Sequence, residues 1–128
     1  DLTKVRNFNN KGSDSEIQYA YDSFGNIIRQ TEPLGANSTY TYDSTYNTYP
    51  IRETNQLGHS VNYEYDFGTG NLLSETRHGL NKTYQYDIFG RIRKEIILPD
   101  NSTFPTKNYT YNTDGTAPES IKLETRIL

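Results

Sequence analysis

The stretch TYQYDIFGRIRKE, residues 83–95, decides the fold, because a similar stretch, QYAYDSFGNIIRQT, stands at residues 18–31. Both contain Tyr-x-Tyr-Asp-x-Phe-Gly. A pattern of seven positions that recurs within a short chain indicates an internal repeat, and a repeat usually determines the whole architecture.

The tyrosine pair is the most regular element of this repeat. Tyr-x-Tyr occurs five times, at spacings of 21, 23, 21 and 25 residues, and four of the pairs are followed directly by aspartate. The spacing predicts one repeat array over residues 1–128, with units that start near residues 19, 40, 63, 84 and 109. The residues predicted to build it are Tyr19, Tyr21, Asp22, Gly25, Tyr40, Tyr42, Asp43, Tyr63, Tyr65, Asp66, Tyr84, Tyr86, Asp87 and Gly90, with Tyr109 and Tyr111 as the fifth pair.

The aspartate after each pair predicts a turn. Asp accepts a hydrogen bond from the backbone two residues on, and the Gly that follows in the first and fourth units tolerates a positive φ. This is the chemistry of a type I turn with a bulge. Asn47 and the stretch FGTGN (67–71) are expected to take the place of that Gly in the other units. The other interpretation, a row of catalytic or metal-binding carboxylates, requires them to converge, whereas a repeat spreads them along the chain.

A strand is predicted after each turn, at residues 27–31, 51–54, 72–76 and 92–96, and a second turn then closes at Gly35, Gly58, Gly79 or Asn101. Short strands are also expected at residues 2–8 and 120–128, with a loop at 9–15 and a turn at 114–115. No segment has the apolar spacing of a helix. We therefore predict an all-β fold, an open antiparallel sheet of about ten to twelve strands.

Period two places both tyrosines of a pair on one face of that sheet. The prediction is an elongated, twisted strip of stacked hairpins, in which tyrosines of neighbouring units form cross-strand pairs. Each unit would have the adjacent repeats as partners, and the two open edges would favour self-association.

Composition excludes several classes of function. The net charge of −3 gives no indication of a nucleic-acid partner, and no apolar run is long enough to span a membrane. There is no cysteine, and hence no disulfide or thiol nucleophile. Twelve tyrosines argue against disorder although only 32% of the residues are hydrophobic. The chain begins at Asp1, and we interpret it as a fragment of a longer protein.

The segments YDSFGNIIRQTEPLG (21–35) and YDIFGRIRKEI (86–96) resemble YD repeats, also called Rhs repeats. YDSTYNTYPIRETNQLGH (42–59) is similar to a unit found in bacterial Tc-toxin B components and SpvB-like proteins. The resemblance implies a structural shell: a β-strip wall of a secreted or cell-surface protein that encloses a toxin effector, itself a further partner. It implies neither enzyme activity nor a cofactor.

The residues themselves also give no indication of a catalytic or metal-binding site. The two histidines, His59 and His78, stand beside predicted turn glycines, and no catalytic, cofactor-binding or metal site is predicted. Carbohydrate binding or adhesion is the alternative function, since tyrosine faces suit sugar stacking. Its candidate contacts are Tyr46 and Tyr49, which lie outside the Tyr-x-Tyr pairs.

Overall fold

The structure is a computed structural model that describes residues 2–7, 15–112 and 120–127. Within these ranges it is all-β, with antiparallel strand pairs, so the predicted fold class is confirmed. The described strands are β1 (Leu2–Asn7), β2 (Ser15–Tyr21), β3 (Ile27–Thr31), β4 (Asn37–Tyr42), β5 (Pro50–Asn55), β6 (Ser60–Tyr65), β7 (Leu72–Arg77), β8 (Leu80–Tyr86), β9 (Ile92–Ile97), β10 (Lys107–Asn112) and β11 (Ser120–Thr125).

The chain divides into two compact units, residues 1–62 and 63–128. The first holds β1 to β5 and the first half of β6; the second holds the rest of β6 and β7 to β11. In each unit the strand order follows the chain order, so that every strand pairs with its sequence neighbours. This is the meander expected of consecutive hairpins.

Side chains alternate along β4 as period two requires. In β4, Tyr40 and Tyr42 are half-buried while Thr39 and Thr41 are exposed. The tyrosine face is therefore the more buried one, and threonine and other polar residues cover the opposite face of this strand.

The predicted tyrosine–tyrosine cross-strand pairs are wrong in the strands whose register is known. Each repeat contributes two strands, so a tyrosine strand alternates with a strand that follows the aspartate turn. Tyr40 lies opposite Glu53 and Tyr42 opposite Pro50, and Tyr19 lies opposite Gln30. A tyrosine thus meets a residue of the intervening strand.

The hydrophobic core is thin. Among the described residues, Val61 and Ile96 are the buried hydrophobic side chains, and no side chain is completely buried. The buried polar residues are Asp43, Ser74, Glu95 and Asp100. Hydrogen bonding within turns and between neighbouring strands therefore has a large share in fixing the conformation.

Four predictions are not tested by the structure. The loop at 9–15 and the turn at 114–115 lie outside the described residues, apart from Ser15 at the start of β2. The single array over 1–128 and its strip-like shape stay predictions. None of the described segments forms a helix that could cross a membrane.

Candidate structural site: aspartate turns and tyrosine hydroxyls

The carboxylate of Asp43 is the centre of the best-bonded turn. It accepts hydrogen bonds from four backbone N–H groups: Thr45 at 3.1 Å, Tyr46 at 2.6 Å, Thr48 at 2.9 Å and Tyr49 at 2.9 Å. Only 4% of the residue is exposed. Burial acts to raise its pKa, but the four N–H donors outweigh burial and lower the pKa to about 2. The Asp43 carboxylate is thus a fixed structural anion at neutral pH.

Asp22 and Asp87 each begin a similar but shorter turn. The Asp22 carboxylate accepts N–H bonds from Phe24 and Asn26, both at 2.9 Å. Asp87 likewise accepts the N–H of Phe89, at 2.9 Å, and that of Arg91, at 3.0 Å. Burial acts to raise the pKa of both carboxyls, but these hydrogen bonds outweigh burial, and both pKa values are lowered.

The glycine of these turns has the predicted conformation. Gly25 has a φ of 89° and Gly90 a φ of 77°, and each donates its N–H to the carbonyl oxygen of the preceding Asp22 or Asp87. Asn47 takes the same role with a φ of 51°. The register shifts just before the aspartate in these three units, which confirms the bulge.

The turn at Asp66 is one residue longer, as the sequence indicated. Its carboxylate accepts the N–H of Gly68 at 2.9 Å, and its carbonyl oxygen accepts the N–H of Gly70 at 2.7 Å. The positive φ lies at Gly70, which corresponds to Gly25 in the shorter turn.

The second tyrosine of a pair ties neighbouring strands together through its hydroxyl group. Tyr42 donates to the carbonyl oxygen of Ile27 at 3.0 Å, and Tyr86 donates to that of Leu72 at 2.6 Å. Tyr111 donates in the same way to Ile92 at 2.7 Å. In each case the acceptor is the first residue of the preceding strand. Burial raises the pKa of Tyr42 and of Tyr86, which keeps both phenols protonated as donors.

The first tyrosine of a pair contributes its ring. Tyr40 and Tyr84 are half-buried, and the ammonium group of Lys82 lies 5.3 Å from the centre of the Tyr84 ring. The rings of Tyr63 and Tyr65 are tilted, with centroids 6.5 Å apart. These contacts join residues of one strand, a packing role that the repeat pattern alone does not reveal.

Glu95 carries a charge network that the sequence analysis missed. This buried carboxylate lies 3.0 Å from the Lys82 Nζ and 3.3 Å from the Lys107 Nζ. Burial acts to raise the pKa of Glu95, but the hydrogen bonds and positive charges of the two lysines outweigh burial and hold this pKa below its usual value. The three residues lie on adjacent strands, β8, β9 and β10, and only their register brings them together.

A second missed cluster closes the loop between β9 and β10. The Asp100 carboxylate accepts a hydrogen bond from the Thr106 hydroxyl and another from the Arg126 Nη1, each at 2.7 Å. The same Thr106 hydroxyl oxygen accepts the N–H of Ile97 at 2.9 Å. The sequence predicted a turn that closes at Asn101 here, and Asp100 and Arg126, 26 positions apart, left no local signal of their contact.

The residues proposed for sugar contact, Tyr46 and Tyr49, lie in the Asp43 turn. Tyr46 is 58% exposed, whereas Tyr49 is half-buried. Their backbone N–H groups are held by Asp43, and their role in binding stays a prediction. Both histidines are exposed in or beside turns, His78 with a φ of 50°.

In the described part of the chain, no cluster of three or more His, Asp or Glu side chains suited to a metal ion is found. The aspartates that follow the tyrosine pairs are instead distributed one to a turn, where their carboxylates accept hydrogen bonds from backbone N–H groups.

Repeated turns, paired neighbouring strands and shared tyrosine ties define an all-β repeat protein. Residues 21–47 match the family model described as RHS Repeat, which supports the YD/Rhs repeat family. The matched segment runs from Tyr21 through the Asp22 turn, β3 and β4 to Asn47. A search of curated proteins gave no match. The RHS repeat is a structural repeat module, and this agrees with the distribution of the aspartates.

Proposed function

We propose that this chain is a segment of the β-strip wall of a secreted or surface Rhs protein, a shell that encloses a toxin effector. The observation that carries the proposal is the tie between consecutive units: Tyr42, Tyr86 and Tyr111 each donate to the opening residue of the strand before. A repeat that bonds to its neighbour by one fixed contact is suited to form an extended wall.

The thin core supports the same proposal. The described residues include only two buried hydrophobic side chains, so a single repeat would gain little stability by folding alone. The proposed partners are therefore the neighbouring repeats of the parent protein, together with an effector domain on one side of the wall.

The structural role can be tested by lengthening the array. Residues 63–83 form one period of 21, from Tyr63 to the residue before Tyr84, and a second copy can be placed directly after residue 83. A stacked repeat should accept the copy, remain folded, and show a larger urea m-value because more surface is exposed on unfolding. An unfolded product, or one with an unchanged m-value, would contradict the structural proposal.

The shell role has its own test in the parent protein. An enclosed effector should resist added protease while the β-strip is folded and become sensitive when urea unfolds it. Cleavage of the effector at equal rates in both conditions would exclude enclosure. We propose, further, that the chain belongs to the Tc-toxin B-component or SpvB-like subgroup, because the unit at residues 42–59 resembles theirs. The parent gene would then encode a bacterial toxin component.

Carbohydrate binding or adhesion is the second proposal, and the exposure of Tyr46 favours it. A glycan array should then give a signal that is lost in Tyr46→Ala. Tyr49→Ala should weaken the signal as well. Phe24→Ala, which removes an exposed ring from the turn of another unit, is the matched control and should leave the signal unchanged.

The open edges motivate the last proposal, self-association. Strand β11 pairs with β10 alone among the described strands, and all six of its residues are exposed. Light scattering at increasing concentration should reveal dimers or larger assemblies. A strict monomer at high concentration would contradict it.

A further inference from the structure

Two clefts of the second unit meet on the surface of β9 and β10. The larger has a volume of about 590 Å³ and extends to β11 and the loop that contains Phe104; the smaller has about 350 Å³ and extends to the Asp87 turn. Arg93 and Asn108 line both. We call the two together the β10 groove. The Asp87 turn and the tyrosines of the fifth pair line the smaller cleft, whereas the loop with Phe104 and strand β11, which line the larger one, lie outside the repeat motif.

Positive charge is concentrated in the β10 groove. Its lining has four basic side chains, Arg91, Arg93, Lys94 and Arg126, against two acidic ones, Asp87 and Glu124. The chain as a whole has a net charge of −3. A basic surface on an acidic protein favours an anionic ligand by charge complementarity.

Two of the four basic groups remain without a carboxylate partner. Arg91 is paired with Asp87 at 2.7 Å, and Arg126 with Asp100 at 2.7 Å. Lys94 donates to a neutral acceptor, the carbonyl oxygen of Ser102. Arg93 is exposed and forms no ion pair within the described ranges.

The acidic groups of the lining do not cancel this charge. Glu124 accepts the Lys122 ammonium at 2.7 Å, and Asp87 is held by Arg91. Arg93, which lines both clefts, therefore presents its charge where they join, and Lys94 adds a second charge in the larger cleft.

Exposed apolar side chains lie at both ends of the groove. Phe104 is 61% exposed and stands beside Pro105 at one end; Phe89 is 74% exposed and stands beside Ile88 at the other. Arginines border both rings, since Arg126 lies 5.9 Å from the Phe104 centroid and Arg91 lies 5.2 Å from that of Phe89. Such rings can take apolar or aromatic side chains of a ligand.

From this arrangement we infer that the β10 groove binds an extended acidic peptide segment, with carboxylates in its centre and apolar side chains at its ends. The central carboxylates bind Arg93, because a guanidinium group matches a carboxylate with two parallel N–H donors, and the Lys94 ammonium attracts them as a point charge. The Asn108 side chain can donate to the peptide backbone. The flanking side chains pack on Phe104 and Phe89, and this apolar requirement favours a peptide over an acidic polysaccharide.

The test uses the whole 128-residue chain and a synthetic peptide, Phe-Asp-Glu-Asp-Glu-Phe with blocked ends. Fluorescence anisotropy of the labelled peptide should give saturable binding that weakens as the salt concentration rises from about 50 to about 300 mM. The neutral peptide Phe-Asn-Gln-Asn-Gln-Phe should not bind. Equal binding of both peptides would overturn the inference.

Variants locate the site. Arg93→Gln should weaken binding about fivefold, because it removes an unpaired charge from the groove. Arg77→Gln is the matched control: it removes the same charge from an exposed position on β7 and should leave affinity unchanged. Phe104→Ala should also weaken binding. Equal affinities of Arg93→Gln and Arg77→Gln would contradict a site in the β10 groove.

An acidic polysaccharide is the competing ligand, and polygalacturonate serves as its probe. Weak or absent binding of polygalacturonate supports a peptide ligand. Binding tighter than that of the peptide, and insensitive to Phe104→Ala, would replace the peptide by a polysaccharide. Unfolding temperatures of all variants would exclude loss of structure as the cause. These outcomes are independent of whether the array accepts an added repeat.

Discussion

The hydroxyl group of Tyr42 donates a hydrogen bond of 3.0 Å to the main-chain carbonyl oxygen of Ile27, on the neighbouring strand β3. Tyr86 and Leu72 have the same relationship on β8 and β7, as do Tyr111 and Ile92 on β10 and β9. The accepting strand begins after the aspartate turn, beside a bulge that interrupts the regular ladder in two of these units. The tyrosine hydroxyl thus forms its hydrogen bond at a point where the backbone pairing of the strands is irregular.

Removing this hydroxyl should have a measurable cost. Tyr42→Phe keeps the ring but leaves the Ile27 carbonyl without its phenol donor, and we expect the free energy of unfolding to fall by about 1 kcal/mol. Urea unfolding followed by circular dichroism measures it. Tyr21→Phe is the control, since no hydrogen bond of its hydroxyl is found within the described residues. An equal loss in both variants would contradict a specific role for the tie.

The Asp43 turn should make stability depend on pH in the acid range. Its pKa is lowered from 3.8 to about 2 in the folded chain, so the folded state favours the ionised form. The stabilisation is therefore complete above the unfolded pKa and is lost as pH falls from 3.8 toward 2. We expect the unfolding temperature to drop across this window, and the drop should be smaller in Asp43→Asn.

A matched substitution tests whether the Asp43 turn is special. Asp66→Asn removes the same charge from a turn in which the carboxylate binds the Gly68 N–H, whereas Asp43 binds four N–H groups. At neutral pH, Asp43→Asn should therefore lower the unfolding temperature more than Asp66→Asn does. The reverse order would show that the number of accepted N–H bonds does not determine the contribution of the turn.

The buried charge of Glu95 should stabilise the second unit. Glu95→Gln leaves Lys82 and Lys107 near each other without their shared carboxylate, and we expect a loss of about 1–2 kcal/mol in urea unfolding. High salt should reduce this loss by screening the two lysines. Lys122→Gln, in the exposed pair with Glu124, should have no measurable effect.

The Asp100 cluster should control how firmly the loop between β9 and β10 is held. Asp100→Ala removes the acceptor of both Thr106 and Arg126 and should lower the free energy of unfolding by about 2 kcal/mol. It should also speed hydrogen exchange at the Ile97 N–H, which is bound to the Thr106 hydroxyl. Ser102→Ala, in the same loop, is the control and should leave exchange at the Ile97 N–H unchanged. If exchange at Ile97 were also unchanged in Asp100→Ala, the Asp100 cluster would not hold the loop.

The strands and aspartate turns were predictable because their causes are local. Asp22 binds N–H groups two and four residues on, and Gly25 needs its positive φ within the same turn. Such contacts leave a fixed spacing in the sequence. The predicted strand at 27–31 coincides with β3, and the one at 92–96 differs from β9 by a single residue.

The long-range contacts were not predictable from the repeat. The predicted tyrosine pairs of neighbouring units ignored the strand that lies between two tyrosine strands. Strand β3 separates Tyr19 from Tyr40, and its Gln30 lies opposite Tyr19. The Glu95 network and the contact of Asp100 with Arg126 depend on which strands are adjacent and in what register. A single sequence contains no periodic signal for either.

The pairing of each strand with its sequence neighbours bears on synthesis. A new hairpin needs only the residues that have just left the ribosome and the strand formed before it, so ordering can advance with translation. Contacts of short sequence separation also favour rapid folding. An unfinished chain would then always present its most recent strand as a template for the next one.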